Sequence, residues 1–222
     1  MTHLPRRLLA EALGSMILAG VVIGSGVLAA RMSDGNDAVA LLANTAATAA
    51  ILFVLISGLG PVSGAHFNPA VSLVGLIRRE LTFPVFVAYV AVQVAGCVLG
   101  AWLAHGMFGL PLLQTATTDR SGLPMMLSEG VAAFTLVFAI ISVSAARPQA
   151  VPAAVALVIA AGYWWTASTS FANPAITIAR SLSDTFAGIR PVDVPGFIAA
   201  QLSGAIVASG LCGVLFPRKA AT

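Results

Sequence analysis

Hydrophobic residues run through this chain in long blocks separated by short polar punctuation. A helix that crosses a bilayer needs about 20 mostly apolar residues. Blocks of that kind fall at about 8–30, 38–57, 84–105, 126–146, 150–168 and 195–216. Charges and turn formers gather in the gaps: Arg31 to Asp37, Arg78 to Glu80, Thr117 to Pro124, Arg147-Pro148 and Arg180 to Val194. The pattern predicts six spanning helices. The basic segment Met1 to Arg7 leads into the first block with no small-residue cleavage site, which reads as a retained span rather than a signal peptide.

Two stretches fall outside a six-helix count. Ser57 to Leu76 reads SGLGPVSGAHFNPAVSLVGL, and Thr166 to Leu182 reads TASTSFANPAITIARSL. Each is a small-residue loop, then Asn-Pro-Ala, then an apolar run too short to cross. Asn is a good N-cap and Pro a good first helical residue, so each motif should start a short helix. Irregular backbone at membrane depth is tolerated only where protein or a watery cavity surrounds it. Two re-entrant half-helices are the economical reading.

The order Glu, Asn-Pro-Ala, Gln occurs twice. Glu11, Asn68 and Gln93 lie in one half; Glu129, Asn173 and Gln201 lie in the other. Each half carries three spans, an odd number, so the second copy enters the membrane upside down. The fold class expected is therefore all-α membrane: six transmembrane helices plus two half-helices in an inverted 3+3 repeat. The chain reads as one channel-like domain, 1–222, with repeat halves of about 1–110 and 111–222. In that geometry the two half-helices meet N-terminus to N-terminus near the midplane.

Composition sharpens the class. Only 9% of residues are Asp, Glu, Lys or Arg, against about 25% in soluble domains. The net charge of +3 comes from scattered bases, with no basic helix or aromatic-basic interleaving, which argues against nucleic acid. With the N-terminus inside, Arg6, Arg7, Arg78, Arg79, Arg147, Arg218 and Lys219 are cytoplasmic, and Arg31, Arg120, Arg180 and Arg190 are outside, a 7 to 4 split. Both termini are expected in the cytoplasm. Cys97 and Cys212 sit in apolar runs and read as buried thiols. No His, Cys or Glu grouping has metal spacing and no nucleophile–base set appears, so no metal, cofactor or enzymatic activity is expected.

Half-helix N-termini carry unpaired N–H groups and partial positive charge. Asn68 and Asn173 can cap their own helices through oxygen and offer amide N–H groups to a lumen, where a solute oxygen accepts and a cation is repelled. Glu11 and Glu129 read as acceptors for loop N–H groups, with proton carriage as the alternative. Gln93 and Gln201 read as interhelical brackets and His66 as a loop hydrogen-bonder. Small residues at three- and four-residue spacing, such as Gly96 and Gly100, mark close helix crossings. Tyr163, Trp164 and Trp165 read as an interfacial belt.

These motifs, SGAHFNPAVSL above all, resemble the aquaporin (major intrinsic protein) family, and the resemblance covers nearly the whole chain. It implies a homotetramer in membrane lipid, one pore per subunit, and passive flow of water or small neutral solutes. Pore residues would be Asn68, Pro69, Ala70, Asn173, Pro174 and Ala175, with Glu11, Glu129, His66, Gln93 and Gln201 supporting the loops. In most of the family an Arg follows the second Asn-Pro-Ala and completes a narrow filter. Here Ile176 stands there, and the family's spacing puts the other filter positions at Thr48, Ala161 (Gly162 if the register slips by one) and Ser170. The filter should be wider and less cationic. Arg180, one turn beyond Ile176, either reaches back to the pore mouth or pairs with Asp184 four residues on. The run NPAITIARSLSDTFAGI resembles a bacterial aquaglyceroporin-like branch associated with arsenic resistance. It implies an inner-membrane location and passage of arsenite, methylated arsenicals or glycerol. A coupled transporter remains the other reading; Glu11 and Glu129 are its only candidate titratable groups. A scaffold role would call for long tails or large loops.

Overall fold

The computed structural model describes residues 3–217. These form eight α-helices and no strand. The first half runs α1 (Leu4–Met32), α2 (Asp37–Ser63), the short α3 (Pro69–Ile77) and α4 (Phe83–Met107). The second repeats the order: α5 (Leu123–Ala146), α6 (Val151–Trp165), the short α7 (Pro174–Ser181) and α8 (Val194–Leu215). Two short helices thus interrupt six longer ones at corresponding places. Arg218 and Lys219, counted above towards the cytoplasmic side, lie outside the described residues.

Five of the helices, α1, α2, α4, α5 and α8, are long and apolar enough on their own to cross a membrane. The sixth crossing, α6, has only 15 α-helical residues, about 22 Å against a hydrocarbon core of about 30 Å. A 3-10 turn at Pro148–Ala150 leads into it and adds about 6 Å. The expected span 150–168 therefore starts earlier and ends sooner. The second span departs the other way. Gly58, Gly60 and Pro61 look like breakers, yet α2 continues through them to Ser63 and stops at left-handed Gly64, φ 92°. Gly and Pro are tolerated in membrane helices where neighbouring helices, polar side chains or local backbone adjustment satisfy the groups they free.

Small residues set the crossings. α1 packs along α4 and α5 along α8, and α2 meets α6 across the halves. A Cβ at Gly96 would run into the carbonyl oxygen of Ala12, one at Gly100 into that of Met16, and one at Gly204 into that of Gly130. Between these pairs α3 lies against α4 and α8, and α7 against the same two helices. Cys97 and Cys212 are free and buried.

The loop after α4 is tied to the segment after α7. Thr117 donates through N–H and hydroxyl to Asp184 Oδ1, both at 2.9 Å. Arg190 pairs with Asp119 at 2.9 Å and with Asp193 at 3.1 Å. The Ser121 N–H and hydroxyl, with Arg190 nearby, hold the Asp119 carboxyl below the usual carboxylate range.

Replacing Gly204 by Val should lower the melting temperature of detergent-purified protein by several degrees, because overpacking costs about 1–3 kcal/mol. Gly210 should tolerate Val, because a Cβ there would meet nothing within 4 Å. Equal stability of the two variants counts against so tight a crossing of α5 and α8.

Candidate functional site

The two loops that precede the short helices leave helical backbone at the centre of the molecule. Their N–H groups need acceptors, and two buried carboxylates supply them. Glu11 Oε1 accepts from the Ser63 hydroxyl at 2.6 Å and the His66 N–H at 3.0 Å. Its Oε2 accepts from the Phe67 N–H at 2.7 Å and Gln93 Nε2 at 2.8 Å. Glu129 repeats this: Oε1 accepts from Ser168 at 2.6 Å and the Phe171 N–H at 2.8 Å. Its Oε2 accepts from the Ala172 N–H at 2.9 Å and Gln201 Nε2 at 2.6 Å. The two glutamines also donate to the Ser72 and Thr177 hydroxyls, each at 2.9 Å. Neither glutamate lines the central cavity, a geometry that fits loop support rather than proton carriage.

Held this way, the loops adopt a backbone that most residues avoid. Ala65 and Phe67 have φ of 51° and 49°, and Ser170 and Ala172 have φ of 51° and 48°. These are the third and first residues before each Asn. Both asparagines then cap the helices that follow. Asn68 Oδ1 accepts from the Ala70 N–H at 2.8 Å, and Asn173 Oδ1 from those of Ala175 at 3.0 Å and Ile176 at 3.3 Å. Pro69 and Pro174 occupy the first helical position, where no N–H is needed. Each amide nitrogen crosses to the other loop: Asn68 Nδ2 donates to Ala172 O at 2.7 Å, and Asn173 Nδ2 to Phe67 O at 2.8 Å. That uses one of the two N–H groups on each amide.

A cavity of about 790 Å³ passes this junction. Arg78, Glu80, Phe216 and Pro217 line one end, with Arg78 and Glu80 paired at 3.3 Å. Asn68, Asn173 and His66 line its middle, and Thr48, Tyr163, Ser170, Phe171, Ile176 and Arg180 the other end. Aliphatic residues such as Leu18, Val22, Leu136 and Ile159 complete the wall.

The expected filter residues are brought together with one exception. Thr48, Ser170 and Ile176 line the cavity. Ala161 does not: it is exposed on α6, away from the face formed by Val155, Ile159 and Tyr163. Gly162, the position given by a one-residue slip, is buried and abuts Ser170 so closely that a Cβ there would collide with it. Tyr163, grouped with the belt from sequence, turns inward and donates to Thr48 Oγ1 at 3.3 Å, while Trp164 and Trp165 stay exposed. Arg180 makes no pair with Asp184, which is held by Thr117. Its Nε donates to the Ala187 carbonyl and its guanidinium carbon lies 3.3 Å from the Phe171 ring centroid. His66 bonds the Ser72 hydroxyl at 3.0 Å, as a loop hydrogen-bonder would.

Several participants were not singled out from sequence. Ser63 and Ser168 stand five residues before each Asn, and Ser72 and Thr177 four residues after. Aligning the two motifs on their asparagines reveals these hydroxyls. Phe171 and Tyr163 carry no such signal.

Glu129→Ala leaves a Gln amide, a Ser hydroxyl and two backbone N–H groups without their acceptor, at about 1–3 kcal/mol for each unpaired donor. A large fall in thermal stability in detergent is expected, with solute flux lost in parallel. A variant that keeps the wild-type melting temperature shows that the carboxylate does not hold this loop.

Residues 1–159 match the family model described as Major intrinsic protein. The chain is 54% identical over 208 residues to aquaglyceroporin AqpS of Rhizobium meliloti (strain 1021), covering 94% of this chain and 89% of the relative. To aquaporin NIP2-2 of Zea mays it is 28% identical over 214 residues, 92% of this chain and 71% of that one. Among solved structures, the aquaglyceroporin from Plasmodium falciparum matches with a TM-score of 0.70 at 19% identity, covering 97% of this chain and 98% of that one. At that identity the last likeness speaks for the fold alone. With two capped half-helices meeting at a central cavity, and a family match over most of its length, the chain belongs to the major intrinsic protein family.

Proposed function

We propose that this chain is a passive membrane channel for small neutral hydroxylated solutes. The class includes glycerol, metalloid hydroxides such as arsenite or methylated arsenicals, and water. The observation that carries the reading is the neutral middle of the cavity. Two half-helix N-termini converge there, and each Asn has an amide N–H left for a passing oxygen. A neutral solute exchanges water hydrogen bonds for these, whereas a cation meets the positive ends of two helices. The outer end favours solutes bulkier than water, because Ile176 lines it where a tighter filter carries a large polar group. The kinship to aquaglyceroporin AqpS supports the same class. Arsenicals rest on resemblance to the arsenic-associated branch.

The coupled-transporter reading lacks support. Its only candidate titratable groups, Glu11 and Glu129, are engaged by four donors each, away from the cavity. The Lys and Arg split favours cytoplasmic termini in a bacterial inner membrane. A homotetramer follows from the family resemblance, and chemical cross-linking in native membranes tests it.

Stopped-flow light scattering on proteoliposomes is the direct test. Glycerol and arsenite should enter down their gradients without saturation and independently of voltage. Currents carried by sodium or potassium, or uphill uptake driven by a proton gradient, would sink the proposal. Within it, Thr48→Phe should narrow the outer end and reduce glycerol and arsenite flux roughly tenfold while sparing water. Equal loss for every solute in folded protein removes Thr48 from the size-selecting set.

A further inference from the structure

Arg180 is 4% exposed, lines the cavity and has no carboxylate partner among the described residues. Everything that holds it is neutral: the Ala187 carbonyl on Nε, the face of Phe171, and the carbonyl end of α7, in whose last turn it sits. Its two terminal nitrogens have no hydrogen-bond partner among the described residues. A second guanidinium, that of Arg120, lies 5.0 Å from the same ring and is likewise bonded to carbonyls, Gly188 O at 2.8 Å and Ser168 O at 3.3 Å. The positive charge of Arg180 is thus fixed in place without being cancelled.

Its height along the pore follows from its stacking partner. Arg180 begins one turn, about 6 Å, beyond Ile176, but helical side chains lean towards the N-terminus. Phe171 adjoins Ser170 in the loop, so a guanidinium 3.3 Å from that ring lies at the level of Ser170 and Ile176. We propose that Arg180 is the residue that excludes cations and ranks solutes at the outer constriction. It does from one turn further along what an arginine directly after the second Asn-Pro-Ala does elsewhere in the family. It is held against the Phe171 ring. Its terminal N–H groups donate to the oxygens of a polyhydroxylated neutral solute, while Ile176 and Tyr163 face the solute's apolar side.

This inference rests on the passive-channel reading, so wild-type protein is measured first. Wild-type liposomes that pass no neutral solute overturn that reading and this one with it. Given wild-type flux, Arg180→Ala should raise sodium and potassium leak on the order of tenfold, as expected for one charge removed beside a narrow water-filled passage. It should also change the glycerol-to-water permeability ratio. Arg180→Lys should restore cation exclusion but not the ratio, since an ammonium lacks the planar fork. The double variant Ile176→Arg with Arg180→Ala should regain cation exclusion and lose glycerol relative to water, because the arginine then stands in the passage. If Arg180→Ala does not fold, Phe171→Leu decides: the charge remains and leak stays low, but the ratio shifts. Wild-type leak and ratio in folded Arg180→Ala, or an unchanged ratio in Phe171→Leu where that variant must serve, overturn the proposal.

Discussion

Non-helical backbone inside a bilayer has no water to satisfy its N–H groups, and the whole pore depends on how this chain meets that demand. Two buried carboxylates do it, each taking two backbone N–H groups, a serine hydroxyl and a glutamine amide. Bonds to a charged acceptor are roughly twice as strong as neutral ones. They hold loops in which five non-glycine residues, Ala65, Phe67, Thr169, Ser170 and Ala172, take left-handed backbone, a conformation that costs on the order of 1–3 kcal/mol at each. Without the carboxylates the loops would relax and the asparagines would no longer face one another. The cavity lining is therefore set by residues that do not touch the cavity.

Superposing the halves on their asparagines separates framework from lumen. The framework repeats: Glu11 with Glu129, Ser63 with Ser168, Ser72 with Thr177, Gln93 with Gln201. Even the aromatic contacts correspond, His66 edge-on to Tyr89 at 5.5 Å and Phe171 edge-on to Phe197 at 5.2 Å. Lumen positions diverge. Ala65 corresponds to Ser170, Val71 to Ile176, and Gly75 to Arg180. Two-fold symmetry serves to bury the loops, and the departures from it make one end of the cavity different from the other.

The spans, the half-helices and their caps were legible in the sequence because each breaks or keeps a strong pattern. A Glu or Gln inside an apolar run is costly enough to stand out, and Asn-Pro-Ala combines two helix-start signals. What was not legible depends on which way a side chain turns. Tyr163 and Trp164 are neighbours, yet one faces Thr48 and the other the outside, a difference fixed by the phase of α6. The same phase turns Ala161 outward and buries Gly162 against Ser170. Arg180 lay within reach of Asp184 by spacing, but the α7 helix ends at Ser181, so Asp184 is not on the next turn and goes to Thr117 instead.

The crossed amide bonds tie together residues 104 and 106 positions apart in the chain. At about 5–20 residues per second on the ribosome, the second loop follows the first by roughly 5–20 s. Throughout that interval Glu11 can already gather its own loop, but Asn68 has no carbonyl to reach. The junction between the two half-helices is thus completed only once both loops have been made.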